Sequence, residues 1–246
     1  MLSTDYSHVG NFTGYMGRVF ALVVAGPPAQ RVLDLPAGNG LLSERLRAAG
    51  HDAVCADINR ARPDYVYADL NARLPFADGE FDTILCLEGL EHVLDPQALI
   101  GELTRITRPG GRIILSTPNI QNVYSRLQFL CTGFYYQYGP WLCRQLKPGE
   151  VLDRGHIAPM TYLQLRYHFR LHGARIERVD GDKWKRKVLL PLLLPFVLWG
   201  RIWTRLIMRR EPDADPQECQ EVYAHMWSRP LLFSRSLILV ARKLPG

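Results

Sequence analysis

Residues 31–50, RVLDLPAGNGLLSERLRAAG, set the reading of everything around them. The apolar run RVLDL (31–35) stops abruptly at a Pro/Gly cluster, as a buried strand does. Residues 39–50 then place Leu41, Leu42, Leu46 and Ala49 on one helical face and end at Gly50, a natural C-terminal glycine. Between strand and helix, Asp34, Pro36, Ala37, Gly38 and Gly40 put small residues where a helix N-terminus accepts a ligand. A glycine-rich turn also suits any tight strand-to-helix connection, so its meaning depends on the strands downstream of it.

Outward from this unit, short apolar runs alternate with helical patterns. DAVCAD (52–57), DYVYAD (64–69), FDTILCL (81–87) and RIILSTPN (112–119) read as strands, the third of these apolar throughout after its Asp. PQALIGELTRITRPGG (96–111) reads as an amphipathic helix closed by Pro-Gly-Gly, and ARIERVD (174–180) and RSLILVAR (235–242) complete seven strands. The expectation is an α/β fold with a doubly wound, Rossmann-like seven-stranded sheet. Asp57 ends the second strand about 20 residues after the turn, where a carboxylate accepts ribose hydroxyls. Asp69 ends the third, where an acid can take an adenine amino group. With Ile58, Leu70 and Leu87 beside them, these residues line one edge of the sheet.

The chain of 246 residues is 47% hydrophobic and 22% charged, enough to bury a core and unlike a disordered tail. Its five cysteines are scattered without a C-x-x-C pair, against a disulfide scaffold or zinc finger. No basic-then-apolar leader opens the sequence, so the expected location is cytoplasmic. The net charge of +6 is uneven: −1 over residues 1–182, +8 over 183–210, −5 over 211–221 and +4 over 222–246. Residues 1–30 read as an N-terminal cap segment, 31–182 and 231–246 as the sheet domain, and 183–230 as an insertion.

VLDLPAGNG, VCADI, YADLNARLPFADGEFDTILCLEGLEHVLDP and RITRPGGRIILSTPN resemble successive motifs of the class I S-adenosylmethionine-dependent methyltransferases. The phrase LPFADGEFD followed by EHV-DP and RPGG is specific to that family, whereas NAD dehydrogenases share only the first turn. The resemblance implies S-adenosylmethionine as cofactor and an antiparallel last strand. Pro36 departs from it, standing where the family usually has glycine and withdrawing one N–H. Tyr6 and His8 could close over the donor, as N-terminal segments do in the family.

After the fourth strand, Glu88, Glu91 and His92 stand at i, i+3 and i+4, one face of a helical turn. Two carboxylates and an imidazole so placed can ligate a divalent cation such as Mg2+ or Mn2+, which lowers the pKa of an acceptor hydroxyl. The E-x-x-E-H pattern is similar to that of ubiquinone-biosynthesis O-methyltransferases and small-RNA 2′-O-methyltransferases. In the RNA enzymes a later histidine completes the set, and His156 occupies a comparable place. Without a metal, His92 or His156 is the general base. His51, His168, His172 and His225 read as surface or packing residues.

KWKRKVLLPLLLPFVLWGRIWTRLIMRR (183–210) brackets thirteen uncharged residues, 188–200, with basic clusters. Thirteen helical residues cover about 20 Å, short of the roughly 30 Å hydrocarbon core, and Pro191 and Pro195 should interrupt the helix. An interfacial element meeting an anionic membrane through Trp184, Trp199, Trp203 and its Lys and Arg side chains is expected, with a lid or dimer contact as the alternative. The aliphatic run lacks the interleaved aromatics of nucleic-acid surfaces.

Together these readings describe an O-methyltransferase on the inner face of a cell membrane, acting on a hydroxyl of a lipid-linked glycan or polyprenyl-type lipid. The glycan option rests on similarity of STPN, NVYSRLQFLCTGF and GHIAPMT to methyltransferases associated with bacterial surface polysaccharides. A quinone-pathway or RNA 2′-O-methyltransferase, and a catalytically silent binding module, are the alternatives.

Overall fold

The computed structural model describes residues 11–59, 62–139, 155–183, 190–210 and 215–245. Tyr6, His8 and Trp184 lie outside them. Seven strands form one sheet: β1 (Arg31–Asp34), β2 (Asp52–Asp57), β3 (Val66–Tyr67), β4 (Phe81–Leu87), β5 (Thr107–Pro118), β6 (Ala174–Gly181) and β7 (Ser236–Lys243). Their order is β3-β2-β1-β4-β5-β7-β6, parallel except that β7 runs antiparallel to both neighbours. The doubly wound sheet expected from the sequence is therefore present, with β7 wedged between β5 and β6.

Helices α1 (Gly14–Val24), α2 (Leu41–Ala48), α3 (Pro96–Ile106), α4 (Val123–Thr132) and α5 (Tyr162–Leu171) surround it. α3 starts because the Asp95 carboxylate accepts the Ala98 amide at 3.0 Å and Pro96 needs no N–H partner in the first turn. Leu99, Ile100, Leu103 and Ile106 form its buried face. The helix expected over 96–111 ends at Ile106, because from Thr107 the backbone is extended and Thr107 pairs with Phe81. The strand expected over 64–69 contracts to Val66–Tyr67, the only part paired with β2.

The LPFADGEFD segment is held by one arginine. Arg105 donates to the carbonyls of Leu74 and Phe76 and pairs with Asp78 and Glu102, while Glu102 accepts the Leu74 amide at 2.9 Å. This fixes the approach to β4 and so the position of its carboxyl end.

Residues 190–233 carry α6 (Leu190–Met208), α7 (Pro216–Met226) and α8 (Arg229–Phe233). α6 is continuous through Pro195, contrary to the interruption expected at the two prolines. Pro191 lies in the first turn, where the amide has no helical partner, and Pro195 faces solvent, which can hydrate the carbonyl it leaves unbonded. Counting only uncharged residues also undersized the segment. Pro191–Met208 is long and apolar enough to cross a membrane by length and composition. Its seam against the rest of the protein is narrow: Leu193 packs with Val123 and Leu232, and Gly200 admits Trp227, whose ring would lie 2.8 Å from a Cβ there. The remainder is open, Leu192, Phe196, Trp199 and Trp203 each being more than half exposed.

α7 is attached differently. The buried Arg166 of α5 bridges Glu218 at 2.5 Å and Glu221 at 3.0 Å, and these acids also meet Arg170 and Arg175. Val222 and Met226 pack against the main core. Within the acidic stretch after the basic segment, Glu218 and Glu221 thus serve as counter-charge for arginines of α5 and β6.

Gly111, in the RPGG turn, has no room for a side chain: an added Cβ would lie 2.9 Å from the backbone oxygens of both Arg108 and Asp82. Gly111→Ala is expected to cost about 1–3 kcal/mol, measured as a lowered Tm. An unchanged Tm would show that this turn can yield.

Candidate active site

The site is built at the carboxyl ends of β1, β2 and β4, where the strand order reverses direction of travel. Beyond β1, Gly38 (φ +54°) and Gly40 (φ +76°) hold left-handed conformations that shape the turn. The Ala37 amide donates to the Ala56 carbonyl at 2.9 Å, and the Gly38 amide donates to Asp57 Oδ2 at 3.0 Å. Asp57 Oδ1 accepts the Asn59 amide at 2.9 Å, so the expected ribose acceptor also ties the glycine turn to β2. Ile58 is exposed beside it. Asp69 and Leu70 lie past β3, with Asp69 Oδ1 accepting the Asn71 amide at 2.9 Å. The Tyr65 hydroxyl crowds Gly40 and excludes any Cβ there; nothing in the sequence pattern pointed to it.

Pro36 abuts the end of β4. A Cβ on Gly89 would lie 2.8 Å from Pro36 Cδ and 3.1 Å from Leu70 Cδ1, so the proline fills space that only glycine leaves open opposite it. Leu87 is partly buried and packs under this junction with the α1-side core.

Asp34 is buried and accepts the Ser43 hydroxyl at 2.7 Å, joining β1 to α2. Burial raises its pKa to about 7, with the Ser43 hydrogen bond and Arg47 opposing and Asp57 adding to the shift.

The turn after β4 separates the two glutamates. Glu88 adopts φ +51°, and the following 3-10 turn spans only Leu90–His92. The single helical face expected for Glu88, Glu91 and His92 therefore does not form, and Glu88 is not part of the donor cluster. Its Oε1 instead accepts the Ser116 hydroxyl at 2.9 Å. The cluster comprises Glu91, His92 and His156, whose donor atoms all lie within 4.8 Å of one another.

Three backbone-directed contacts bring His156 there across 64 positions of sequence. The Glu91 carbonyl accepts the Ile157 amide at 2.8 Å and the Ala158 amide at 3.1 Å, and His92 Nδ1 lies 3.1 Å from the Gly155 carbonyl. As a donor to that carbonyl, Nδ1 carries the proton, which leaves the lone pair on Nε2. The rings of His92 and His156 meet edge-on at 5.0 Å, and buried Tyr138 lies edge-on to His156 at 5.4 Å while its hydroxyl donates to the Ala158 carbonyl. Tyr138 sits in an irregular region and carried no sequence signal.

Glu91 is fully buried, and among the described residues neither carboxylate oxygen has a hydrogen-bond partner of normal geometry. Burial holds its pKa well above the usual carboxylate range; the Glu88 charge adds to this, while its own amide and the Thr117 hydroxyl oppose it. His156 Nδ1 is likewise buried without a partner among the described residues. Burial, then the neighbouring His92, lower the His156 pKa, so its imidazole is neutral at pH 7. An orphaned carboxylate beside two imidazoles fits a divalent cation by donor chemistry. Of the other histidines, buried His51 accepts the Gln30 amide and His225 Nδ1 lies 2.7 Å from the Tyr162 hydroxyl, both packing roles.

Residues 12–178 match the family described as "Methyltransferase domain". The chain belongs to the class I S-adenosylmethionine-dependent methyltransferases. It is 38% identical over 158 residues to a demethylmenaquinone methyltransferase of Renibacterium salmoninarum, covering 60% of this chain and 62% of that protein. It is 34% identical over 109 residues to a ubiquinone biosynthesis O-methyltransferase of Aromatoleum aromaticum, covering 39% and 46%. The matches thus span less than two thirds of those relatives. The fold is shared with a SAM-dependent methyltransferase from Archaeoglobus fulgidus, at a TM-score of 0.56 and 16% identity over 93% of both chains.

The raised pKa of Asp34 has a stability consequence. A group whose pKa is higher in the folded than in the unfolded state contributes stability that is full below the unfolded value and lost as pH rises through the folded one. Asn mimics the protonated acid and does not titrate. Between about pH 4 and 7, the Tm of the wild type should fall relative to that of Asp34→Asn; parallel curves would refute the shift.

Proposed function

We propose that this chain transfers the methyl group of S-adenosylmethionine to a hydroxyl of an amphipathic acceptor, a polyprenyl-type lipid or lipid-linked glycan, at the cytoplasmic surface of a membrane. The observation that carries the reading is the Glu91–His92–His156 cluster at the carboxyl edge of the sheet, beside the cofactor turn. The quinone names of the curated relatives, one of them an O-methyltransferase, support a prenylated acceptor.

Methyl transfer is an in-line displacement: the acceptor oxygen bonds to the methyl carbon, the carbon–sulfur bond breaks, and its electron pair stays on sulfur. The protein's task is to align the oxygen and take its proton. With no cation bound, His156, neutral and packed beside His92 and Tyr138, is the base that accepts that proton. Glu91, His92 and His156 would hold a divalent cation, which supplies Lewis acidity to the acceptor hydroxyl.

The membrane part of the reading rests on α6. β6 ends at Gly181, opposite Leu237, and β7 begins at Ser236, opposite Pro118, at the carboxyl edge of the sheet, so the chain between them leaves from the side that carries the site. Exposed Trp199 and Trp203 with Arg201, Arg205, Arg209 and Arg210 match an anionic interface.

Incubation of the full chain with methyl-labelled S-adenosylmethionine and a short-tailed prenylated hydroquinone, or a bacterial lipid extract, should give label in the organic phase. Chelation, and separately Glu91→Gln, should reduce it by about 10-fold or more; activity indifferent to both removes the cation from the reading. A product confined to added RNA would replace the lipid acceptor.

Flotation with vesicles containing phosphatidylglycerol should carry the protein, and Trp199→Glu with Trp203→Glu should abolish it. Equal flotation of wild type and double variant would remove α6 as the contact.

A further inference from the structure

Outside the Glu91 cluster, a second polar chain runs beneath the end of β4. The Tyr15 hydroxyl on α1 lies 2.7 Å from Ser116 Oγ on β5; Ser116 Oγ is also 2.9 Å from Glu88 Oε1 and accepts the Glu88 amide at 3.0 Å. One assignment of protons satisfies all three contacts. Ser116 must donate to the carboxylate, which has no proton to give when ionised, and Ser116 therefore accepts from both Tyr15 and the Glu88 amide. Tyr15 stays a donor, because burial and the Glu88 charge hold its pKa well above the usual phenol value. Residues of α1 and β5 thus hold one acid in a left-handed backbone conformation that a non-glycine residue adopts at a cost.

The place of this acid in the sheet gives it a ligand. Asp69, Asp57 and the glycine turn follow one another across β3, β2 and β1, and β4 is next. An adenosine whose base lies toward Asp69 and whose ribose lies at Asp57 leaves its 5′ substituent running over the turn to β4. Glu88 stands there, one residue before the glycine that abuts Pro36. In S-adenosylmethionine that substituent carries two cations, a sulfonium and an α-ammonium.

We propose that Glu88, positioned by Tyr15 through Ser116, is the carboxylate that receives the cationic methionyl half of the cofactor. The reading rests on the cofactor assignment but not on the acceptor, the metal or the membrane. Burial, with Asp182 adding, raises the Glu88 pKa, while the Ser116 hydrogen bond, Arg235 and the Ser236 hydroxyl favour the ionised form. A bound cation adds to the latter. Glu88 is then a binding residue and Tyr15 a positioning residue.

Calorimetric titration of the full chain with S-adenosylmethionine and with S-adenosylhomocysteine tests this without any acceptor. The two ligands share the ammonium and differ in the sulfonium. Glu88→Gln should weaken S-adenosylmethionine by about 10-fold or more, the worth of a charge-assisted contact. Tyr15→Phe, which keeps the ring, should weaken it about threefold in the wild-type Glu88 background and have no effect in Glu88→Gln, a coupling that a purely structural tyrosine would not show. A loss restricted to S-adenosylmethionine places the sulfonium at Glu88; equal losses for both ligands place the ammonium there. Unchanged affinity of Glu88→Gln for both ligands, with an unchanged Tm, would overturn the proposal. Failure of the wild type to bind either ligand would instead overturn the cofactor reading.

Discussion

Burial of the Glu91 carboxylate, which has no hydrogen-bond partner of normal geometry among the described residues, is the constraint around which the site is arranged. An isolated ionised carboxylate in a protein interior costs several kcal/mol, and the group escapes by taking up a proton or by meeting a cation. Here the carbonyl of the same residue clasps the Ile157 and Ala158 amides, so the segment bearing His156 is fastened to the residue whose side chain needs a partner. The fastening converts a local electrostatic problem into a three-residue donor set. The same turn, by its left-handed Glu88, turns the other acid of the motif toward Ser116 and Tyr15. Two carboxylates three residues apart thereby face different chemistry.

The two insertions of the chain serve that edge unequally. The connection between β5 and α5 supplies Tyr138 and His156 directly. The connection between β6 and β7 divides its work: α7 is clamped by Arg166 and its neighbours, while α6 is joined through Leu193, Val197 and the Gly200–Trp227 contact and leaves most of its apolar surface open. Among the described residues, Glu218 and Glu221 face arginines of α5 and β6, whereas Arg201, Arg205, Arg209 and Arg210 remain exposed.

Much of this was legible in the sequence, for identifiable reasons. Strands buried on both faces write continuous apolar runs, and the turn of residues 36–40 announces itself by glycine. Asp57 closes β2, as the change from apolar to acidic indicated, whereas Asp69 lies two residues past the end of β3. The E-x-x-E-H spacing misled at Glu88 because helical spacing assumes helical backbone, and one left-handed residue breaks the periodicity. Tyr15, Ser116 and Tyr138 were silent because their partners lie far away along the chain, and pattern reading sees only neighbours. Pro195 misled for a different reason: the rule against proline in a helix assumes a carbonyl that cannot reach water, and this helix face is wet.

The antiparallel wedge of β7 has a consequence for biosynthesis. β5 and β6 are not hydrogen-bonded to each other, and each completes its pairing on β7, which follows both in the chain. A ribosome finishes α6 well before Ser236 is polymerised. The apolar helix therefore precedes in the chain both the Trp227 and Leu232 side chains it packs against and the strand that completes the sheet. Closure of the sheet on β7 and docking of α6 against Leu232 and Trp227 therefore fall together, late in synthesis.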